Sequence, residues 1–289
     1  MTEIVAYKGF DKNFQCRGFQ YEVGKTYVHE GPVRICKSGF HACENPIEVL
    51  KYYPFVTSRY AEIMQSGKII QDKYGTKIAS SVLNVVKELS FLELVERSIK
   101  LAFEKRRKNL VRKVRYKSHA NNAGDYSIAS SEGMKSIASV IGDYSIAIAN
   151  DCASLASSSG SLSIAKTFRS RSIASSCGDL SVSVTTGHWS IAATNDADST
   201  SITTGDNSLA SSIGGGSRSI STGRDSASIS SGPDGMVSGG NGCALFLVYR
   251  DSHTNEILHT WSGIVGKNGI KPDVFYTLSS DGTPIEVEG

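Results

Sequence analysis

The sequence predicts a mainly β protein built on a β-solenoid, and three observations predict it. Serine recurs every nine residues from Ser118 to Ser208 without a miss. The next residue is mostly Ile, Leu or Val and the one after it Ala or Ser, as in Ser136-Ile137-Ala138 and Ser172-Ile173-Ala174. The turns carry a second period of eighteen, because Gly124-Asp125-Tyr126, Gly142-Asp143-Tyr144, Gly160-Ser161-Leu162 and Gly178-Asp179-Leu180 form one series, while Gly133-Met134-Lys135 and Asp151-Cys152-Ala153 belong to another. Self-similarity at a short fixed period means units that bury their apolar faces only by stacking on their neighbours. Nine residues per half-coil and eighteen per coil describe a flat two-sheet β-roll over residues 118–242.

Each position of the repeat then receives a role. Glycine at the seventh place supplies the positive φ of a tight corner. Alternation along a strand puts the first and third positions on one face and the second on the other. The expectation is that the aliphatic second position points inward and the Ser and Ala ladder outward, since an exposed aliphatic ladder would need an interface to cover it. Past Ser208 the pattern reads as a two-residue insertion near Gly216, with the phase resuming at Ser219 and Ser228. Tyr126, Tyr144, Leu162 and Leu180 recur every eighteen residues and are the candidate contacts for a homo-oligomer.

These Ser-aliphatic-Ala units between glycine corners resemble the β-roll heads of trimeric autotransporter adhesins. The single Gly and single Asp per turn fall short of the Gly-Gly-x-Gly-x-Asp pattern of calcium-binding nonapeptide rolls, so no calcium site is expected.

The rest of the chain divides around the roll. Residues 1–89 read as an α+β module: strand-like runs at residues 4–10, 20–27, 58–65, 68–71 and 82–89, and a helix start at Asn45-Pro46-Ile47-Glu48. Residues 90–117 read as a basic capping helix and linker, opened by the capping box Ser90-x-x-Glu93 and carrying apolar residues at helical spacing from Phe91 to Phe103. Residues 243–289 read as a β-meander that covers the open end of the roll, with Trp261 and Phe275 as packing residues.

Charge is distributed unevenly. The formal net charge is +3, but residues 1–117 hold 22 Lys and Arg against 12 Asp and Glu, while residues 118–242 hold 6 against 10. Ten cations fall between Arg97 and Lys117, against the single acid Glu104. Arg106, Arg107, Arg112 and Arg115 are the candidates for contact with a partner, either an acidic protein surface or nucleic acid. The first ten residues lack an apolar core, no long apolar run follows, and the six cysteines show no framework spacing. A cytoplasmic protein with reduced thiols, no membrane segment, no cofactor and no metal is expected. Cys36, His41 and Cys43 do not have paired zinc-ligand spacing, and Val23-Gly24-Lys25-Thr26 lacks the first glycine of a phosphate loop.

Two resemblances bear on function. Lys8-Gly9-Phe10, residues 16–27 from Cys16-Arg17-Gly18-Phe19 to Lys25-Thr26-Tyr27, and Ser38-Gly39-Phe40-His41-Ala42-Cys43-Glu44-Asn45-Pro46 are similar to a domain of uncharacterised bacteriophage and prophage proteins. That resemblance implies a viral setting inside a bacterial host cell and supplies no activity. Gly39-Phe40-His41-Ala42, leading into a helix that ends in Tyr52-Tyr53, resembles an element of ADP-ribosyltransferases, although no acidic residue stands where that family's catalytic glutamate would be expected. The function expected from the whole is a non-enzymatic binding protein encoded by a phage or prophage, an inhibitor or accessory factor that engages a host protein with the solenoid as scaffold. The alternatives are ADP-ribosyltransferase-like activity in residues 1–89, a structural virion component, or nucleic-acid binding through the basic helix.

Overall fold

The structure is a computed structural model that describes residues 3–72, 76–105, 110–251 and 253–287. Two compact units emerge, one ending at Glu104 and the other starting at Lys105.

The first unit is a small antiparallel sheet that closes on itself. Its strands in chain order are β1 (Ile4–Asp11), β2 (Gln15–Cys16), β3 (Phe19–Gln20), β4 (Thr26–Val28), β5 (Phe40–Cys43), β6 (Ser58–Gln71) and β7 (Lys77–Leu89), of which β2 and β3 pair only with each other, as a separate hairpin. The β6–β7 hairpin pairs from Tyr60↔Leu89 to Gln71↔Ile78. β1 lies along β6, β5 lies along β7, and Tyr7↔Cys43 joins β1 to β5 and completes the ring. Ala6, Phe10, Ile63, Ile78 and Leu83 are wholly buried and form the core with Phe14 and Tyr21. The segment after Asn45 is a 3-10 helix, Pro46–Lys51, rather than an α-helix. The expected cap fails there because the Asn45 side chain reaches the Glu48 carboxylate at 3.5 Å instead of a backbone N–H.

Helix α1 (Phe91–Lys105) opens as its capping box predicts: the Glu93 N–H donates to Ser90 Oγ at 3.3 Å and the Ser90 N–H to Glu93 Oε2 at 2.8 Å. Leu94 and Val95 are buried, Phe91 stacks on Phe55 at 3.9 Å, and Arg97 pairs with Glu62 at 2.9 Å.

The second unit is the roll, and it starts earlier than the serine period indicates. Residues Leu110–Lys113, expected within the basic helix, form strand β8, paired in parallel with Ile128–Ser131 so that Leu110 stacks under Ile128. Parallel strands about eighteen residues apart, eight in each sheet, then build most of a ten-stranded and a nine-stranded sheet. Both are extended by antiparallel strands of the meander: Ile257–Ile264 on one sheet, Phe275–Leu278 and Pro284–Val287 on the other. Trp261 packs on the cap's core, and the buried ring there is Tyr276, next to the expected Phe275.

Serine is fixed at the first position by hydrogen bonding. The N–H of each such serine donates to the hydroxyl of the serine one coil later, as Ser154 to Ser172 at 3.2 Å and Ser172 to Ser190 at 3.2 Å. The same hydroxyl donates to a carbonyl twenty-one residues back, as Ser172 Oγ to Asp151 O at 3.2 Å. Backbone groups at a corner face away from the sheet ladder and would otherwise be buried unpaired, so each serine satisfies one donor and one acceptor. The rungs continue without interruption, since Ser199 donates to Ser217 and Ser208 to Ser226. The two-residue insertion is therefore absent: Ile220 and Ile229 follow serines that only mimic the motif, and the true first positions are Ser217 and Ser226.

The expected inside-out assignment is also reversed. The first and third positions face inward: Ala138, Ala156, Ala174, Ala192 and Ala210 are wholly buried, and the opposite sheet contributes Ala129, Ala147 and Ala165 to the same interior. Ser176 and Ser183 hydrogen-bond across it at 2.8 Å. The side chains between the two sheets are mostly small, Ala, Ser and Thr, with Val140 among them. Glycine at the seventh position serves the close stacking of one coil on the next. At Gly142, φ is 135°, and an added Cβ would collide with the backbone of Gly124 in the coil below. Positive φ at the seventh position occurs as expected at Gly124, Gly142, Gly160 and Gly178, and a left-handed residue recurs every nine positions at the ninth as well, filled by Tyr126, Lys135, Tyr144, Ala153, Leu162 and later non-glycine residues at φ of 51–60°.

Candidate functional site

Two features of the protein can meet another molecule, a surface on the roll and a cavity in the first unit. On the nine-stranded sheet the second positions form an outward column, Ile137, Leu155, Ile173, Ile191 and Leu209, aligned residue over residue by the parallel register. Ile173 is 42% exposed and Ile191 38%, values that place large aliphatic groups in water. Beside them run Ser139, Ser157, Ser175, Ala193 and Ser211, which leave the face flat. The equivalent column of the ten-stranded sheet, Ile128, Ile146, Ile164 and Val182, is buried.

The candidate contact residues fall in different places. Tyr126 and Tyr144 stack at 4.6 Å with Leu162 buried below them, so this ladder is largely satisfied within the roll. Leu180 continues it, half-buried. Arg112, on β8, forms a two-point ion pair with Glu132, at 2.7 Å from Nε and 2.8 Å from Nη2. Arg115 is exposed on the following turn. Arg106 and Arg107 lie outside the described residues.

The cavity, of about 240 Å³, opens among β1, the β2–β3 turn, β5 and the residues after the 3-10 helix. At its wall Lys8 is buried on β1, its Nζ donating to His41 O at 3.0 Å and to Cys16 Sγ at 3.4 Å, with the rings of Phe10 and Tyr21 each 5.7 Å away. Burial holds the Lys8 ammonium below the ordinary lysine range, opposed in part by the nearby Cys16. Cys16 Sγ in turn lies 3.0 Å from the Tyr53 hydroxyl, whose pKa is raised by burial and by that contact. Gly9 is required here because any Cβ would run into the Tyr53 ring.

His41 lines the same cavity. Its Nδ1 lies 3.0 Å from Gly39 O, and its Nε2 is buried with no partner in hydrogen-bonding geometry. Burial lowers its pKa, against the Gly39 and Arg34 backbone groups that favour the cation, and the Lys8 charge lowers it further. The imidazole is therefore neutral, and with Nδ1–H donating to the carbonyl, Nε2 is an acceptor. Cys43 is an inert thiol, pushed up to about 12 by burial. The structure thus gathers Gly39, Phe40, His41, Tyr52 and Tyr53 around one space, as their sequence grouping suggested, and adds Lys8, Cys16 and Lys77, which carry no spacing signal. Among the described residues, no carboxylate lines the cavity and no three His, Cys, Asp or Glu side chains are grouped to hold a metal ion.

A family model described as a domain of unknown function, DUF7666, matches residues 4–97. No curated protein and no solved structure matches the chain. Among the described residues, no helix is long and apolar enough to cross a membrane.

Proposed function

We propose that the protein is a non-enzymatic binding protein of bacteriophage or prophage origin, acting in the bacterial cytoplasm as an inhibitor or accessory factor directed at a host protein. The observation that carries the binding part is the exposed aliphatic column of the nine-stranded sheet. Five large apolar groups, one per coil, project from a flat face of small side chains, with Ile173 and Ile191 exposed and Ile137, Leu155 and Leu209 half-buried, and an apolar stripe that reaches water marks a surface that a partner covers. Parallel pairing on both sides keeps those groups in fixed register, so little ordering cost is left for binding. The viral setting and the host partner rest on the resemblance of residues 8–46 to phage proteins, an associational argument.

The test is capture from lysate of a bacterial host with the full chain, beside the double variant Ile173→Asp/Ile191→Asp. One stoichiometric host protein should be retained by the wild type and lost by the variant, whose unfolding temperature should stay unchanged because both side chains project outward. Equal capture by the two would refute the surface. A homodimer seen by light scattering at high micromolar concentration, and lost in the same variant, would replace the host protein by a second copy of this chain.

A further inference from the structure

We propose that the cavity of the first unit binds a small anion carrying a flat ring, and that nucleoside monophosphates are the class it fits. The site is separate from the aliphatic column and stands on its own observations.

Charge indicates the anion. Lys8, Arg17, Lys37 and Lys77 line the cavity, and no Asp or Glu does among the described residues. Arg17 and Lys37 are exposed at the rim, Lys77 is half-buried, and Lys8 lies deep in the wall. A buried ammonium is costly unless it is paired. Lys8 donates only to a carbonyl and a thiol, and among the described residues no carboxylate pairs with it. A phosphate entering past the rim cations would supply the missing counter-charge. Strongly hydrated ammonium groups serve phosphate as point charges in this way.

Aromatic walls indicate the ring. Tyr21, Phe40, Tyr52 and Tyr53 all line the cavity. Tyr53 is fixed by its contacts with Gly9 and Cys16, while Lys77 Nζ lies 4.3 Å from the Tyr52 ring centre and holds cation and ring side by side. His41 Nε2, a buried acceptor without a partner, calls for a donor on the ligand, and an exocyclic amine or a sugar hydroxyl provides one. Size limits the choice. At about 240 Å³ the space lies below the roughly 300–1,000 Å³ usual for ligand pockets, which suits a mononucleotide whose phosphate passes the rim to Lys8 and leaves no room for the second nucleotide of a dinucleotide.

The full-length protein is titrated calorimetrically with AMP, GMP, CMP and UMP, and separately with adenosine, inorganic phosphate and NAD. At least one monophosphate should bind at least about tenfold more tightly than adenosine and than phosphate, a difference of about 1.4 kcal/mol, and binding should weaken as salt is raised. Lys8→Met should abolish it. Should that variant fail to fold, Lys37→Glu/Lys77→Glu at the mouth should weaken binding at least about tenfold while unfolding at the wild-type temperature. The proposal is overturned if no monophosphate exceeds adenosine and phosphate, if the rim variant binds like the wild type, or if NAD binds more tightly than every monophosphate.

Discussion

In the first unit Phe10, Tyr60, Ile63 and Leu83 fill the interior with large side chains, whereas in the roll the residues at the same depth are Ala138, Ala147, Ala174 and a column of serines. A core of the first kind is stabilised by removing large apolar surfaces from water. The second kind contains too little apolar volume per coil for that, and its regularity comes from hydrogen bonds repeated every eighteen residues. The comparison accounts for the outward aliphatic groups on one sheet of the roll: where the interior accepts only small residues, large ones have nowhere else to go.

The largest expected effects come from breaking each kind of interior in its own way. Phe10→Ala should cost about 3–5 kcal/mol by leaving a cavity. Ser172→Ala, which removes few atoms, should cost about 1–3 kcal/mol because it orphans the buried Ser154 N–H and the Asp151 carbonyl. Urea unfolding, followed separately in each unit, measures both, and a Ser172→Ala cost near zero would mean that the serine rungs are incidental.

A smaller effect sharpens the electrostatic half of the comparison. The folded pKa of Lys8 is lowered, chiefly by burial, below its unfolded value. Between those two values the unfolded chain binds a proton that the folded chain does not, so stability should rise as pH climbs through that window toward the ordinary lysine range. Below the folded pKa the penalty for the buried cation is fully present. Lys8→Met should be more stable than the wild type at neutral pH, and the difference should shrink as pH rises through the window. Parallel stability profiles for the two proteins would show that Lys8 is not held in a desolvated state.

Much of the roll was legible because period nine and period eighteen are properties of the letters themselves. What alternation does not reveal is which face is inside. Ile137 and Ala138 differ by one step, and size, the usual arbiter, favours the wrong answer where the interior is lined mostly by Ala, Ser and Thr. The same preference misplaced the phase after Ser208, where Ser219-Ile220 imitates the motif while Ser217 holds the rung. Strand β8 lacked any signal, since Arg112 and Lys113 stand where the next coil carries Ser130 and Ser131. At the cavity, Gly39 to His41 and the Tyr52-Tyr53 pair were visible as neighbours in sequence. Lys8 and Lys77 join them only through the closing of β1, β6, β7 and β5 into a ring, and Cys16 through the β2–β3 hairpin, which no local pattern records.

The account depends most on the reversal of faces in the roll, because the binding surface exists only if the aliphatic column points outward. Thermal unfolding of Ile173→Asp beside Ala174→Asp tests it with adjacent residues. The structure has Ile173 in water and Ala174 wholly buried. The first variant should melt within a few degrees of the wild type, as surface substitutions do. The second should lose the roll, because an unpaired carboxylate in that interior has no partner. The opposite pair of outcomes, a folded Ala174→Asp and a collapsed Ile173→Asp, would contradict the account.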